Sequence, residues 1–149
     1  MEKLQIFSAD TSRPAELPFA DGGVRAGFPA PAQEYMESAI DLNRDLVNHP
    51  ESTFYARVQG ESMRDAGVGD GDILVVDKSL DLLEGDLAVC IVNGEFTVKF
   101  VERHEDHILL VPANPDFSPI YVGEGDSFEI WGIVTYVIRK MRGWGRRSR

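Results

Sequence analysis

Two side chains of this sequence, Ser62 and Lys99, have the types and the setting that nucleophilic chemistry needs. Ser62 lies in Gly60-Glu61-Ser62-Met63, just after a strand-like run, and Lys99 ends the strand-like run Glu95-Phe96-Thr97-Val98-Lys99. A serine hydroxyl becomes a good nucleophile only when a base takes its proton. A lysine amine is such a base if apolar neighbours keep it neutral, and residues 98–101 supply them. The alternative is a surface serine and a lysine that extends into water.

The glycine-rich loop from Gly60 to Asp77 predicts a sharp bend that presents Ser62. Glycines permit tight turns with positive φ, and such a bend can aim backbone N–H groups at a developing oxyanion. Asp65, Asp70 and Asp72 lie in this loop. No Glu closes a twelve-residue calcium loop at the required position, so we expect these carboxylates to make turn hydrogen bonds instead.

The histidines and the cysteine indicate no second chemistry. His49, His104 and His107 show no recognisable triad arrangement with Ser62, although spatial proximity stays open. The run from His104 to His107 is interpreted as a solvated turn rather than a metal site. Cys90 falls within an apolar strand, which favours a buried, inert thiol. We therefore predict no metal and no cofactor.

The charge of the chain is strongly uneven. The net charge is −10, yet residues 139–149 hold six of the fifteen basic residues and no acidic one. The acidic body argues against a broad nucleic-acid surface. The basic tail could contact phosphates or an acidic partner, or it could be a solvated terminus. No apolar run approaches the ~20 residues of a membrane helix, the N-terminus shows no signal-peptide pattern, and Cys90 is the single cysteine, which together predict a cytoplasmic protein.

The N-terminal third predicts little regular structure. Residues 1–31 read as an extended arm, because their prolines and glycines disfavour helix and regular sheet. Apolar residues at helical spacing predict a helix over Gln33–Val47. Alternatively, Asp41 or Asn43 caps a second short helix after a break near Ile40.

After Pro50 the pattern predicts about six short strands in a compact, highly twisted β-domain. Asn93-Gly94 is the strongest short hairpin signal and joins two of them. The predicted strands are Thr53–Gln59, Ile73–Val76, Leu87–Val92, Glu95–Val101, His107–Val111 and Phe128–Ile138.

The last of these strands, Phe128–Ile138, is apolar on both faces. Strict alternation places Phe128, Ile130, Val134, Tyr136 and Ile138 on one face, and Trp131, Ile133 and Val137 on the other. A strand of this kind is either central in a sheet or part of an oligomer interface, so we predict a homodimer that buries part of it.

These motifs together resemble the LexA/UmuD family of self-cleaving serine peptidases, and the UmuD branch most closely. The resemblance runs from about Gly27 to Met141. The matching segments are Gly27-Phe28-Pro29-x-Pro31, Ile40-Asp41-Leu42-Asn43, His49-Pro50, Gly60-x-Ser62-Met63, Gly71-Asp72, Glu95-Phe96-Thr97-Val98-Lys99 and Ser118-Pro119-Ile120.

The resemblance implies a mainly β peptidase fold with one or two short N-terminal helices and an extended arm. Ser62 would be the nucleophile and Lys99 the neutral base. The chain would cut its own Ala26–Gly27 bond when a RecA–single-stranded DNA filament forms, and the trimmed homodimer would join a UmuC-type translesion polymerase.

The same resemblance divides the chain into three parts and shows two departures, one of which is the basic extension 143–149 beyond the matched core. The arm would be residues 1–26, the peptidase and dimerisation domain 27–141, and the basic tail 142–149. The residue before the cut glycine, Ala26, is more similar to the repressor branch of the family than to UmuD itself.

Three other interpretations compete. A LexA-like repressor fragment would need a DNA-binding domain of about three helices, which does not fit into residues 1–26. A signal peptidase would need a membrane anchor. A non-enzymatic module that docks a polymerase or a clamp would use the acidic body and leave Ser62 structural.

Overall fold

The computed structural model describes residues 3–9, 16–19, 38–143 and 145, and its main element is one antiparallel sheet. The strands are β1 (Lys3–Ser8), β2 (Glu16–Phe19), β3 (Ser38–Asp41), β4 (Thr53–Gln59), β5 (Ile73–Asp77), β6 (Leu87–Val92), β7 (Glu95–Arg103), β8 (Ile108–Val111), β9 (Ile120–Val122) and β10 (Phe128–Ile138). Eight of them form this sheet in the order β1-β4-β5-β10-β6-β7-β8-β9, and β2 pairs with β3 separately. The predicted mainly β fold is confirmed.

The six strands predicted after Pro50 are all present, with ends that differ by at most two residues. Asn93 and Gly94 have φ angles of 49° and 82°, the positive values of a two-residue hairpin turn between β6 and β7. Strand β9 was not predicted, because three residues after a proline carry too little periodic signal.

The prediction that residues 1–31 avoid regular sheet is wrong at two places. Strand β1 pairs with β4 along its whole length, and its sequence alternates between apolar and polar residues. Strand β2 pairs with β3 although it contains Pro18. In a two-stranded sheet each strand has one edge that pairs with no other strand, and a proline is tolerated where its missing N–H would face that edge.

The helix predicted over Gln33–Val47 is wrong over Ser38–Asp41, which is strand β3, and residues 33–37 lie outside the described residues. The alternative, a short helix capped by Asp41, is confirmed as α1 (Leu42–Leu46). The Asp41 carboxylate accepts hydrogen bonds from the backbone N–H groups of Asn43 (3.0 Å) and Arg44 (3.4 Å), which satisfies two donors of the first turn. In the described ranges, no helix has the length and apolar character to cross a membrane.

Apolar side chains pack on both faces of the sheet. One cluster lies around the fully buried Ala56, Leu74, Val76, Val89 and Val98. The other lies around Ala88, Cys90 and Leu110. Residues 88–90 alternate between the two clusters, so β6 is a central, two-sided strand.

Strand β10 does not alternate as predicted. Its register shifts between Ile130 and Gly132 and again between Val134 and Tyr136, each time by one extra residue. Such bulges exchange the faces of the residues between them. Ile133 therefore packs with Ile130, and Val134 packs with Trp131, the reverse of strict alternation.

Candidate active site

The loop that carries Ser62 is fastened to the segment that follows β8. The Ser62 carbonyl accepts a hydrogen bond from the Ala113 N–H (2.9 Å), and the Ala113 carbonyl accepts one from the Asp65 N–H (2.7 Å). The Asn114 side-chain amide donates to the Glu61 carbonyl (2.7 Å). These hydrogen bonds fix the backbone before and after Ser62, and only 2% of the residue is exposed.

Two of the three loop aspartates, Asp70 and Asp72, bond to backbone N–H groups of the loop as predicted, whereas the Asp65 carboxylate accepts a hydrogen bond from the Arg64 side chain (3.4 Å). Asp70 accepts a hydrogen bond from the Gly60 N–H (2.9 Å), and Gly60 has a φ of 118°. Buried Asp72 accepts one from the Gly69 N–H (2.8 Å) and three from the Arg139 guanidinium, two from its Nε (2.9 and 3.1 Å) and one from its Nη2 (2.6 Å). The hydrogen bonds with Asp72 raise the pKa of Arg139. This ion pair ties the serine loop to the residue that follows β10.

Lys99 lies in β7 with its side chain inside the protein and its amine at Ser62. The Lys99 Nζ is 2.9 Å from the Ser62 Oγ, and only 4% of Lys99 is exposed. The structure therefore brings together the two residues that the sequence singled out, across 37 positions of the chain.

Thr97 completes the surroundings of this amine, although no sequence pattern pointed to it. The Lys99 Nζ lies 2.8 Å from the Thr97 Oγ1 and 3.1 Å from the Val98 carbonyl oxygen. Thr97 and Lys99 are two positions apart in one strand, so their side chains leave the same face. Thr97 is fully buried, which fixes its hydroxyl beside the amine.

The backbone at Ser62 has N–H groups in a position to stabilise negative charge. Within the described part of the chain, the N–H groups of Ser62 and Met63 donate no hydrogen bond, whereas that of Arg64 donates to the Glu61 carbonyl (3.2 Å). The Met63 side chain is buried in the core and anchors this part of the loop. Oxyanion holes are commonly formed by two backbone N–H groups beside the nucleophile.

The remaining candidate residues have other partners. His49 hydrogen-bonds Asp77 (2.5 Å), His104 hydrogen-bonds Glu102, and His107 hydrogen-bonds Asp106. The His104 N–H donates to the His107 carbonyl (2.9 Å), which confirms the predicted exposed turn between β7 and β8.

Cys90 is buried, as predicted. Burial raises the pKa of its thiol to about 12. The other predicted site residues, Ala26 and Gly27, lie outside the described residues.

The comparison with protein families decides the classification. Residues 18–135 match the family described as Peptidase S24-like, a span that includes Ser62 and Lys99. The chain belongs to the S24 peptidase family.

Individual relatives agree with this assignment and confirm the resemblance to LexA and UmuD. Protein MucA of Salmonella typhimurium is 41% identical over 136 residues, which cover 90% of this chain and 92% of MucA. Protein ImpA of Escherichia coli is 41% identical over 125 residues, or 83% of each chain. The LexA repressor of Acidithiobacillus ferrooxidans is 46% identical over 121 residues, which cover 79% of this chain and 58% of the repressor.

Proposed function

We propose that this S24 peptidase cuts its own Ala26–Gly27 bond with Ser62 as nucleophile and Lys99 as general base. The observation that carries the proposal is the 2.9 Å contact between the Lys99 Nζ and the Ser62 Oγ inside the protein. A hydroxyl within hydrogen-bond reach of a buried amine is the arrangement that general-base activation needs.

The hydrogen-bond partners of Lys99 favour attack by Ser62. A neutral amine has two N–H groups and one lone pair. The Val98 carbonyl can only accept, and the Thr97 hydroxyl can accept as well, so these two oxygens take the N–H groups. The lone pair of the amine can then accept the hydroxyl proton of Ser62, whose Oγ lies 2.9 Å from the Nζ.

The proposed reaction has two stages, acylation of Ser62 and hydrolysis of the resulting ester. Lys99 takes the hydroxyl proton while the Ser62 Oγ bonds to the Ala26 carbonyl carbon, and the N–H groups of Ser62 and Met63 stabilise the oxyanion. The protonated amine then gives its proton to the nitrogen of Gly27, and the C–N bond breaks. Water, deprotonated by Lys99, hydrolyses the acyl-enzyme ester and releases Ser62.

The position of the bond in the chain supports the arm as substrate. Ala26 and Gly27 lie in sequence between β2 and β3, which pair with each other in antiparallel register. Both residues are small, so a peptide carrying them can approach a buried nucleophile closely.

We further propose, from the resemblance to the LexA/UmuD family, that cleavage occurs in response to DNA damage as part of the SOS response. A RecA–single-stranded DNA filament in the cytoplasm would stimulate the cut, and the trimmed homodimer would serve a UmuC-type translesion polymerase. The relatives MucA, SamA and ImpA support this branch of the family.

Incubation of the purified chain with RecA, single-stranded DNA and a nucleoside triphosphate tests the proposal. We expect mass spectrometry to find a product that begins at Gly27, with faster formation when the filament is present. A chain that stays intact, or a product that begins at another residue, would contradict it. The non-enzymatic docking module predicts the intact chain.

A further inference from the structure

Among the strands that the structure describes, β1 lies at the end of the eight-stranded sheet and pairs only with β4. Its register places Leu4 opposite Val58, Ile6 opposite Ala56, and Phe7 opposite Tyr55. Residues 3–8 belong to the segment that cleavage after Ala26 would separate from the body. The sheet therefore contains a strand that the proposed reaction cuts from the rest of the chain.

The backbone of β4 divides its hydrogen bonds between two neighbours. The Val58 N–H donates to the Asp72 carbonyl (2.9 Å), so the even-numbered residues of β4 bond towards β5. The Ala9 N–H donates to the Thr53 carbonyl (3.3 Å), so the odd-numbered residues bond towards β1. Without β1, the N–H and C=O groups of Tyr55, Arg57 and Gln59 form an open sheet edge.

The side chains of β1 fill places on both faces of this edge. Leu4 and Ile6 pack against the core cluster that contains Ala56, Val58 and Met63. On the opposite face, Phe7 lines a pocket of about 170 Å³ together with Tyr55, Arg57 and Ile73. Removal of β1 would therefore expose the core surface that Leu4 and Ile6 cover and the pocket that Phe7 lines, next to the unpaired backbone of β4.

We propose that the β4 edge is a strand-acceptor site, which β1 fills in the intact chain and an extended segment of a partner protein fills after cleavage. The inference rests on the proposed function, because the cut after Ala26 is the event that frees the site. The partner segment would run antiparallel to β4, as β1 does. It would carry aliphatic residues at the places of Leu4 and Ile6 and an aromatic residue at the place of Phe7.

Two proline variants of the full chain test the site without any cleavage. Gln5 and Ser8 are both exposed, but their N–H groups point in opposite directions. Gln5→Pro removes a donor to the Arg57 carbonyl and should detach β1. Ser8→Pro replaces an N–H on the open side of β1, where proline is tolerated, and is the matched control.

The probe is a fluorescent peptide with the sequence of residues 2–9, measured by fluorescence anisotropy. We expect it to bind the Gln5→Pro chain at least about tenfold more tightly than wild type or Ser8→Pro. In those two chains the tethered β1 competes at an effective concentration of order millimolar. The same peptide with the Gln5→Pro change should not bind.

Equal binding to all three chains, or no binding to a folded Gln5→Pro chain, would overturn the proposal. A Gln5→Pro chain without a cooperative melting transition would overturn it too, since β1 would then be part of the minimal fold. The experiment involves no proteolysis, so its result is independent of whether Ser62 cuts the arm.

Discussion

The Lys99 amine owes its orientation to neighbours of its own strand. Thr97 and Val98 hold it from one side while Ser62 lies 2.9 Å away, so the base is positioned before any substrate arrives. The sequence analysis named Thr97 only as part of a longer matching segment and gave it no role, because threonine is a common strand residue. Only the knowledge that Lys99 points inward makes the residue two positions earlier a candidate positioning residue.

Thr97→Val tests this role, because valine keeps the shape and removes the hydroxyl. The loss of one hydrogen bond of about 1 kcal/mol should slow self-cleavage roughly five- to tenfold. Thr97→Ser restores the hydroxyl and should restore most of the rate. Rates come from gel densitometry at several pH values, because a misplaced amine should also alter the pH profile. Cleavage of the Thr97→Val chain at the wild-type rate would refute the role.

Cys90 provides a pH prediction at the same scale. Burial holds its thiol pKa at about 12, so the thiol stays protonated up to about pH 10 in the folded protein. We expect the native chain to resist iodoacetamide at pH 8 and the chain in denaturant to be labelled fully. Mass spectrometry counts the labels without ambiguity, because the chain contains one cysteine. Rapid labelling of the native chain would show that the thiol is accessible.

Among the elements, β10 determines how the two core clusters meet. It lies between β5 and β6, and its two bulges turn its residues from one cluster to the other and back. Gly132 sits next to the first bulge, where a Cβ would lie 2.6 Å from the Val76 Cγ1. A bulge has no clear signature in an apolar run, and this is why strict alternation misassigned Ile133 and Val134.

Gly132→Ala should therefore destabilise the protein. The added methyl group meets Val76 and must displace it, and such overpacking costs about 1–3 kcal/mol. Gly125→Ala is the matched control, because no atom of the described residues lies within 4 Å of the position that its methyl group would take. Urea unfolding at one fixed protein concentration compares the two free energies of unfolding. Equal values for both variants would show that β10 can shift to accept the methyl group.

Across the whole molecule, local sequence patterns predicted the strands and turns but not which distant segments pair with each other. Asn93-Gly94 indicated a hairpin, and alternation located the strands after Pro50, because both signals are local. The sequence could not show that β1 pairs with β4, some fifty residues away, or that Ala113 holds the Ser62 loop. Such contacts depend on tertiary packing, which no window of sequence contains.

The end of β10 presents an exposed apolar surface. Tyr136, Val137, Ile138 and Met141 are all between 39% and 59% exposed. A symmetric dimer would cover this surface with the same strand of the second copy. We expect sedimentation at micromolar concentration to give twice the 16.6 kDa monomer mass.

Two matched variants locate the dimer interface. Tyr136→Glu should give monomers, because it places a charge in the covered surface. Tyr121→Glu should remain dimeric, because Tyr121 is also an exposed tyrosine but lies in β9, away from this strand end. Sedimentation of the wild-type chain as a monomer would contradict the predicted dimer.

The central claim, that Lys99 activates Ser62, is tested most directly by the rate of self-cleavage as a function of pH. The spontaneous rate should rise as the pH is raised, because only the unprotonated amine can accept the serine proton. Ser62→Ala and Lys99→Ala should each abolish the product that begins at Gly27 while circular dichroism shows a folded chain. A flat pH profile, or a Lys99→Ala chain that cleaves at the wild-type rate, would contradict the account.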